Sequence, residues 1–290
     1  MNAYHYEQMR PPSTLADTIE CFWRLLMPVS PPPDEILSAE GRAEILFQFE
    51  GHSQAISPNT NTPFACTSSW IVRPYAHALR VRQVGVSASA MIGVRFRAGG
   101  LSAFHRDGTL RDDQSLIVLN DLYKPLDIRL LEEQLYEKLH TRQWADPLIN
   151  YFTRRLNVPL HADRIAYAAK HLLQQYISVW SLADQVSLSE RQFTRVFSNL
   201  VGLSPKQFSR IARIQRVLYA PDSFLTLQQL AARHGYHDAA HLTHEFQDLV
   251  GTTPLKYFSS THALINQKNL KDGRFLQSES GITLMSSNDA

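Results

Sequence analysis

The sequence predicts an α+β chain of two domains. The first is mainly β, a barrel or sandwich closed by two helices. The second is all α, two helix-turn-helix units joined by a long helix. Three observations carry this expectation. Apolar residues alternate with period two over roughly the first 120 residues and follow a helical period from Asp127 onward. Phe193, Phe197, Leu200, Val201, Gly202, Ser204 and Pro205 each stand 49 residues before Leu242, Phe246, Leu249, Val250, Gly251, Thr253 and Pro254 (242 − 193 = 49). Two copies are too few for a solenoid, so the repeat reads as a duplicated module. Capping residues, finally, stand at equivalent places in both copies, Ser189 in one and Asp238 in the other.

Composition is compatible with this division. The 290 residues suffice for about two domains of the usual ~100–200 residues, and 44% apolar with 19% charged residues is ordinary for a globular chain with a core in each half. Cys21 and Cys66 are the two cysteines; with no C-x-x-C and no Cys/His cluster at ligand spacing, a disulfide framework and a structural zinc are not supported. A reducing cytoplasm fits. The opening MNAYHYEQMRPPST has no apolar core of a signal peptide, and no apolar run reaches the ~18 residues of a membrane span. The expectation is a cytoplasmic protein with no membrane partner, no cofactor and no metal.

In the first domain Ala43, Ile45, Phe47 and Phe49 alternate with Glu44 and Gln48, and Ile92, Val94 and Phe96 alternate with Arg95 and Arg97, as in half-buried strands. SPPPDE (30–35), Gly41, SPNTNTP (57–63) and the Ala-Gly-Gly at 98–100 break the strands. Ile128, Leu131, Leu135 and Leu139 then form a helical stripe, and Asp146-Pro147 starts a second helix through Leu156. This pair is expected to pack on the β structure, with a dimer interface as its other use. NVPLH (157–161) reads as the linker, so the domains are expected at 1–157 and 161–262. The polar tail 263–290 is expected to be disordered.

In the second domain Asp163 can cap a helix with Ile165, Ala169, Leu172 and Tyr176 on one face. Ser181 can cap SLADQVS, and Ser189 can cap ERQFTRVFSNLV, with a short turn at Ser187-Leu188. Ser204-Pro205 starts the long helix through Tyr219. Thr226 caps LQQLAARH, Gly235 supplies the left-handed stop, and Asp238 caps the next helix.

Charge is unevenly placed. Residues 1–160 hold 16 basic and 17 acidic residues, residues 161–262 hold 10 and 7, and the whole chain is only +2. From Arg191 to Pro221 Arg191, Arg195, Lys206, Arg210, Arg213 and Arg216 occur without an acid, which suits a phosphate-facing surface or, alternatively, a solvated helix face. At 100° per residue Phe193, Val196, Phe197 and Leu200 share one face, leaving Arg191, Thr194, Arg195 and Ser198 on the other. Such a free face, near the N-terminus of the second helix of a unit, is what enters a major groove, and Arg is the side chain that bonds guanine O6 and N7 together. In the second copy Leu242, Phe246 and Leu249 point inward, Ala240, Thr243, His244 and Gln247 outward, and His241 lies on the flank. Ala240 could touch a thymine methyl, and Gln247 a base or phosphate.

The stretch SLADQVSLSERQFTRVFSNLVGLSPKQFSRIARIQRVL, followed by TLQQLAARHGYHDAAHLTHEFQDLVGTTPLKYF, resembles the AraC/XylS family of bacterial transcription regulators over residues 161–260. Its signature G-[FY]-x-D…F-x-x-x-x-G-x-[ST]-P is present as Gly235-Tyr236-His237-Asp238…Phe246…Gly251-Thr252-Thr253-Pro254. The resemblance implies that each second helix enters a major groove, one helical turn apart on one DNA face. It implies base contacts by Arg191, Thr194 and Arg195 in the first unit and by Ala240, His241 and His244 in the second, the family often having Arg where His244 stands. It also implies a cupin-like N-terminal barrel that binds a small molecule or mediates dimerisation, with Cys21-Phe22-Trp23 and GVRFRAGG (93–100) as the pieces that look like such a sensor. Trp23, Phe47, Phe49, Trp70, Tyr75 and Phe96 are the candidate pocket residues. The partners expected are double-stranded DNA and a small-molecule effector; RNA polymerase and a second copy of the chain stay open.

Two rival classes fit less well. A cupin-like metal enzyme would need clustered ligands, whereas His52, His77 and His105 are scattered, no H-x-H occurs, and G-x-S-x-G is absent, so no catalytic residue is expected. A non-specific architectural DNA binder rests on phosphate neutralisation, which the modest net charge does not favour.

Overall fold

The computed structural model describes residues 5–27, 35–56, 63–66, 68–84, 88–105, 115–219 and 226–259. The turns expected at 30–34 and 57–62 and the tail 263–290 lie outside them. Among the described residues ten strands form two antiparallel sheets. Strands β1 (His5–Met9), β2 (Ile19–Met27), β4 (Glu44–Glu50), β7 (Ser69–Val72), β9 (Ser89–Phe96) and β10 (Leu116–Val118) build a six-stranded sheet in the order β1-β2-β9-β4-β7-β10. Strands β3 (Glu35–Leu37), β5 (His52–Ile56), β6 (Pro63–Cys66) and β8 (Leu79–Val84) form the other, ordered β3-β8-β5-β6. Among the described residues neither sheet closes on itself, so where a cupin-like barrel is expected the strands form an open sandwich.

Alternation assigns the two faces of the larger sheet. Phe22, Ile45, Phe47, Ile71, Ile92, Val94 and Phe96 pack against α1 (Pro125–Lys138) and α2 (Asp146–Arg155), whose Ile128, Leu131, Leu135, Leu148 and Phe152 complete one core. The stripe expected on α1 is thus the buried one. Arg24, also on this face, donates to the carbonyls of Leu139 and Thr141 beyond the end of α1, a cation at the negative end of a helix.

The opposite face corrects the reading of β4 and β9 as half-buried. All eight residues of β9 are buried, and Glu44 and Arg95 point between the sheets rather than into water, joined by an ion pair. Period two locates a face; it does not say whether water or a second sheet covers it. Three of the six aromatic pocket candidates fall on the wrong side for the same reason: Phe47, Phe49 and Phe96 belong to the helix-covered core, while Trp23, Trp70 and Tyr75 face the space between the sheets.

The C-terminal part contains α3 (Ala162–Gln174), α4 (Val179–Gln185), α5 (Glu190–Val201), α6 (Pro205–Tyr219), α7 (Leu227–Arg233), α8 (Ala239–Val250) and α9 (Pro254–Ser259). Caps at Ser189, Thr226 and Asp238 stand where the sequence puts them, the first two as full capping boxes with Gln192 and Gln229. Two other caps shift. Ser178, not Ser181, caps α4 by accepting from the Ser181 N–H, and α3 begins after His161 in a left-handed conformation, leaving Asp163 in its first turn. Tyr176 lies beyond the end of α3 rather than on its face.

Candidate nucleic-acid interface and effector cavity

Each helix pair is built around one turn. Leu188 N–H donates to Ala183 O in the first, and Tyr236 N–H to Ala231 O in the second; Ser187 (φ 54°) and Gly235 (φ 70°) take the left-handed position. These residues are 48 apart (235 − 187), whereas the caps Ser189 and Asp238 are 49 apart, so the second turn holds one extra residue, His237. Second helices α5 and α8 then run to left-handed glycine caps at Gly202 and Gly251.

The turns leave one face of each second helix open. Arg191, Thr194 and Arg195 are exposed on α5 while Phe193 and Phe197 are buried. On α8, Ala240, His241, His244 and Gln247 are exposed while Leu242, Phe246 and Leu249 are buried. Two members of this set are engaged elsewhere. Thr243 is half-buried and its hydroxyl donates back to Ala239 O at 2.7 Å, and the His241 ring packs edge-on against Tyr236 with centroids 5.3 Å apart.

The basic run divides into two groups with different work. Arg191, Arg195 and Lys206 are exposed. Arg210 of α6 donates to Glu245 Oε1 at 2.7 Å and Asp248 Oδ2 at 3.0 Å on α8. Arg216 donates to the carbonyls of Leu172, Leu173 and Gln175 at the end of α3 and stacks on Tyr176, and Arg213 lies over Tyr236. A phosphate-facing reading of all six is therefore wrong for these three: they lock the joining helix to both units, a duty the sequence spacing does not reveal. Among the histidines, His234 is buried with Nδ1 2.9 Å from the Tyr176 hydroxyl.

Between the sheets lies a cavity of about 120 Å³, near the ~150 Å³ of an apolar cavity that holds one benzene ring. Trp23, Leu46, Trp70 and Met91 supply apolar wall, and Glu40, Arg42, Glu44 and Arg95 an ionic one. Arg42 Nη1 donates to both Glu20 oxygens at 2.6 Å, and its Nε stands 3.5 Å from Glu40. Burial pushes the Glu40 carboxyl up despite Arg42 and Arg95, with Glu44 and Glu20 adding to the rise. Burial also acts to raise the Glu20 carboxyl, but the charge and hydrogen bond of Arg42 outweigh it and hold that group low.

The cavity wall is also the seat of α8. Leu37 and Glu40 line the cavity while Ala39 N–H donates to Leu249 O at 2.6 Å; Tyr75 and Leu79 line it while Ala78 N–H donates to Asp248 O at 3.2 Å. His77 Nδ1 sits 3.3 Å from Asp248 Oδ1. Gly251 fits this seat closely, since a Cβ there would stand 2.7 Å from Ile36 and 2.9 Å from Ala78.

Comparison with known proteins meets the C-terminal geometry directly: residues 182–260 match the family profile of a helix-turn-helix domain. These residues form an AraC-type helix-turn-helix domain. Residues 7–109, ahead of the AraC-type part, match a domain of unknown function, DUF6597. No curated protein matches the chain. Among solved structures it is similar to unsaturated fatty acid-bound ToxT from Vibrio cholerae, at 10% identity and TM-score 0.43, over 89% of this chain and 96% of that one. It is similar to the DNA-binding domain of AdpA in complex with a target DNA, at 29% identity and TM-score 0.30, over 37% and 96%. It is also similar to a predicted oxalate decarboxylase from Thermotoga maritima, at 13% identity and TM-score 0.26, over 32% and 79%. Among the described residues no helix is long and apolar enough to cross a membrane.

Proposed function

We propose that this AraC-type protein is a cytoplasmic, sequence-specific transcription regulator that reads two adjacent major grooves and is controlled by a small molecule held between its sheets. The observation that supports it most is the pair of open faces on α5 and α8, borne by duplicated units that α6 braces through Arg210 and Arg216. In this reading Arg191, Thr194 and Arg195 contact bases from α5, and Ala240, His244 and Gln247 from α8. His241 and Thr243 act at the flank. Control follows from the shared wall, because a ligand against Glu40, Tyr75 or Leu79 presses on the segments that hold Leu249 and Asp248. The sites are read as binding sites, with no catalytic residue.

Genome-wide footprinting of the full chain, with Arg195→Ala beside it, tests the proposal. Discrete, asymmetric sites that weaken in the variant are expected. Uniform coverage insensitive to Arg195 would overturn it.

A further inference from the structure

The chemistry of the cavity narrows the class of effector, an inference that rests on the effector reading above. The positive charge of its ionic wall is unevenly shared. Arg42 serves two carboxylates and gives the closer geometry to Glu20, leaving Glu40 at 3.5 Å; Arg95 is engaged by Glu44. In the wall itself Glu40 and Glu44 stand beside Arg42 and Arg95, and Arg42 is drawn on further by Glu20, which does not line the cavity. Arg97, the remaining cation that influences Glu20, is exposed, donates to Ala16 O and does not line the cavity, so water screens it.

The rest of the wall is aromatic and apolar. Tyr6 and Trp23 stack with centroids 6.2 Å apart, Trp70 and Tyr75 add further rings, and Trp23 lies flat across Gly93, where a Cβ would strike its indole. Rings around a carboxylate are the surroundings in which an organic ammonium exchanges hydration for charge and π contact. An anion would instead have to displace Glu20 or Glu44 from its arginine. A second observation points to a ligand as well: Trp23 is 2% exposed, lines the cavity, and its indole N–H has no acceptor among the described residues. An indole N–H only donates, so it calls for an acceptor on whatever fills the space.

We propose that the cavity binds a small organic cation, a primary amine on a body of about one ring that also carries a hydroxyl, with the ammonium on Glu40 and the hydroxyl oxygen accepting from Trp23. Glu40 is the group placed for it, since it lines the cavity and its contact with Arg42, at 3.5 Å, is looser than the arginine pairs of Glu20 and Glu44.

Three ring-matched probes test the charge on the full chain by calorimetry and thermal shift: tyramine, the neutral 4-ethylphenol, and the acid 4-hydroxyphenylacetate. Tyramine is expected to bind best and the acid not at all. Glu40→Gln should weaken tyramine by about tenfold or more, the size of a lost hydrogen bond to a charged group, and leave 4-ethylphenol unchanged. Trp23→Phe should narrow the preference for tyramine over phenethylamine. Binding of the acid or of 4-ethylphenol as tight as that of tyramine, or tyramine affinity indifferent to Glu40→Gln, would overturn the cation inference and leave the effector reading standing. Failure of all probes, charged or neutral, to bind at millimolar concentration would overturn both at this cavity.

Discussion

The Ala39 N–H donates to Leu249 O at 2.6 Å, one residue before Glu40 lines the cavity. A β-domain loop and the end of α8 are thereby a single hydrogen-bonded seam, with Gly251 pressed into it. Gly235 and Gly251 separate the seam from ordinary backbone strain. Both are left-handed, at φ 70° and 79°, but a Cβ on Gly235 meets only Tyr176 at 3.8 Å, whereas one on Gly251 meets Ile36 at 2.7 Å. Gly235→Ala should cost about 1–2 kcal/mol, the backbone penalty alone. Gly251→Ala should cost more in denaturant titrations and loosen DNA binding. Equal costs would mean that the seam is not held in solution.

Two arginines of the same basic run should behave in opposite ways. Arg195 is exposed and has no structural task in this reading, so Arg195→Ala should leave the Tm unchanged while costing about 1–3 kcal/mol on the best DNA site. Arg210 satisfies the buried Glu245 and also Asp248, so Arg210→Ala should cost about 1–3 kcal/mol of stability by stranding a buried acceptor. Melting curves beside binding isotherms check both; equal Tm losses would contradict the division.

This division marks the limit of what the sequence makes legible. The repeat places Phe193 with Leu242 and Phe197 with Phe246, and those pairs are core because a period near 3.6 has only one way to bury them. The caps at Ser189, Thr226 and Asp238 are legible because each satisfies N–H groups within its own turn. Arg210 and Arg216 are not, since their partners lie 35 to 44 residues away. Glu44 and Arg95 are misread for the converse reason: alternation marks them polar, but the sheet that covers them comes from distant strands.

Glu40 links the cavity to pH. Burial raises its folded-state pKa, so the proton is bound more strongly in the folded chain than in the unfolded one. Its contribution to stability is full below the unfolded pKa and is lost as pH rises through the folded one. Glu40→Gln keeps the shape and removes that loss, so the unliganded variant should melt higher than the parent near pH 7–8, with the difference shrinking toward pH 5. Glu20, held low by Arg42, works in the other direction: its contribution is present above the unfolded pKa and lost in acid, so Glu20→Gln should cost most at neutral pH. Thermal melts across this range decide it; a Glu40→Gln difference independent of pH would sink the assignment.

Unequal reading by the two units is the last expectation. Arg195 presents a planar, permanently charged fork, whereas His244, equally exposed at its place on α8, offers an imidazole. That ring offers fewer donors than a guanidinium and cannot reach guanine O6 and N7 with a two-pronged fork. His244→Ala should therefore cost less than Arg195→Ala on the same DNA site. Residues on separate helices and separate grooves do not share a contact, so the double variant should lose the sum of the two single losses. DNA titrations of the parent, both single variants and the double variant supply the answer: a His244→Ala loss as large as that of Arg195→Ala would contradict unequal reading, and no loss at all would remove the ring from the interface.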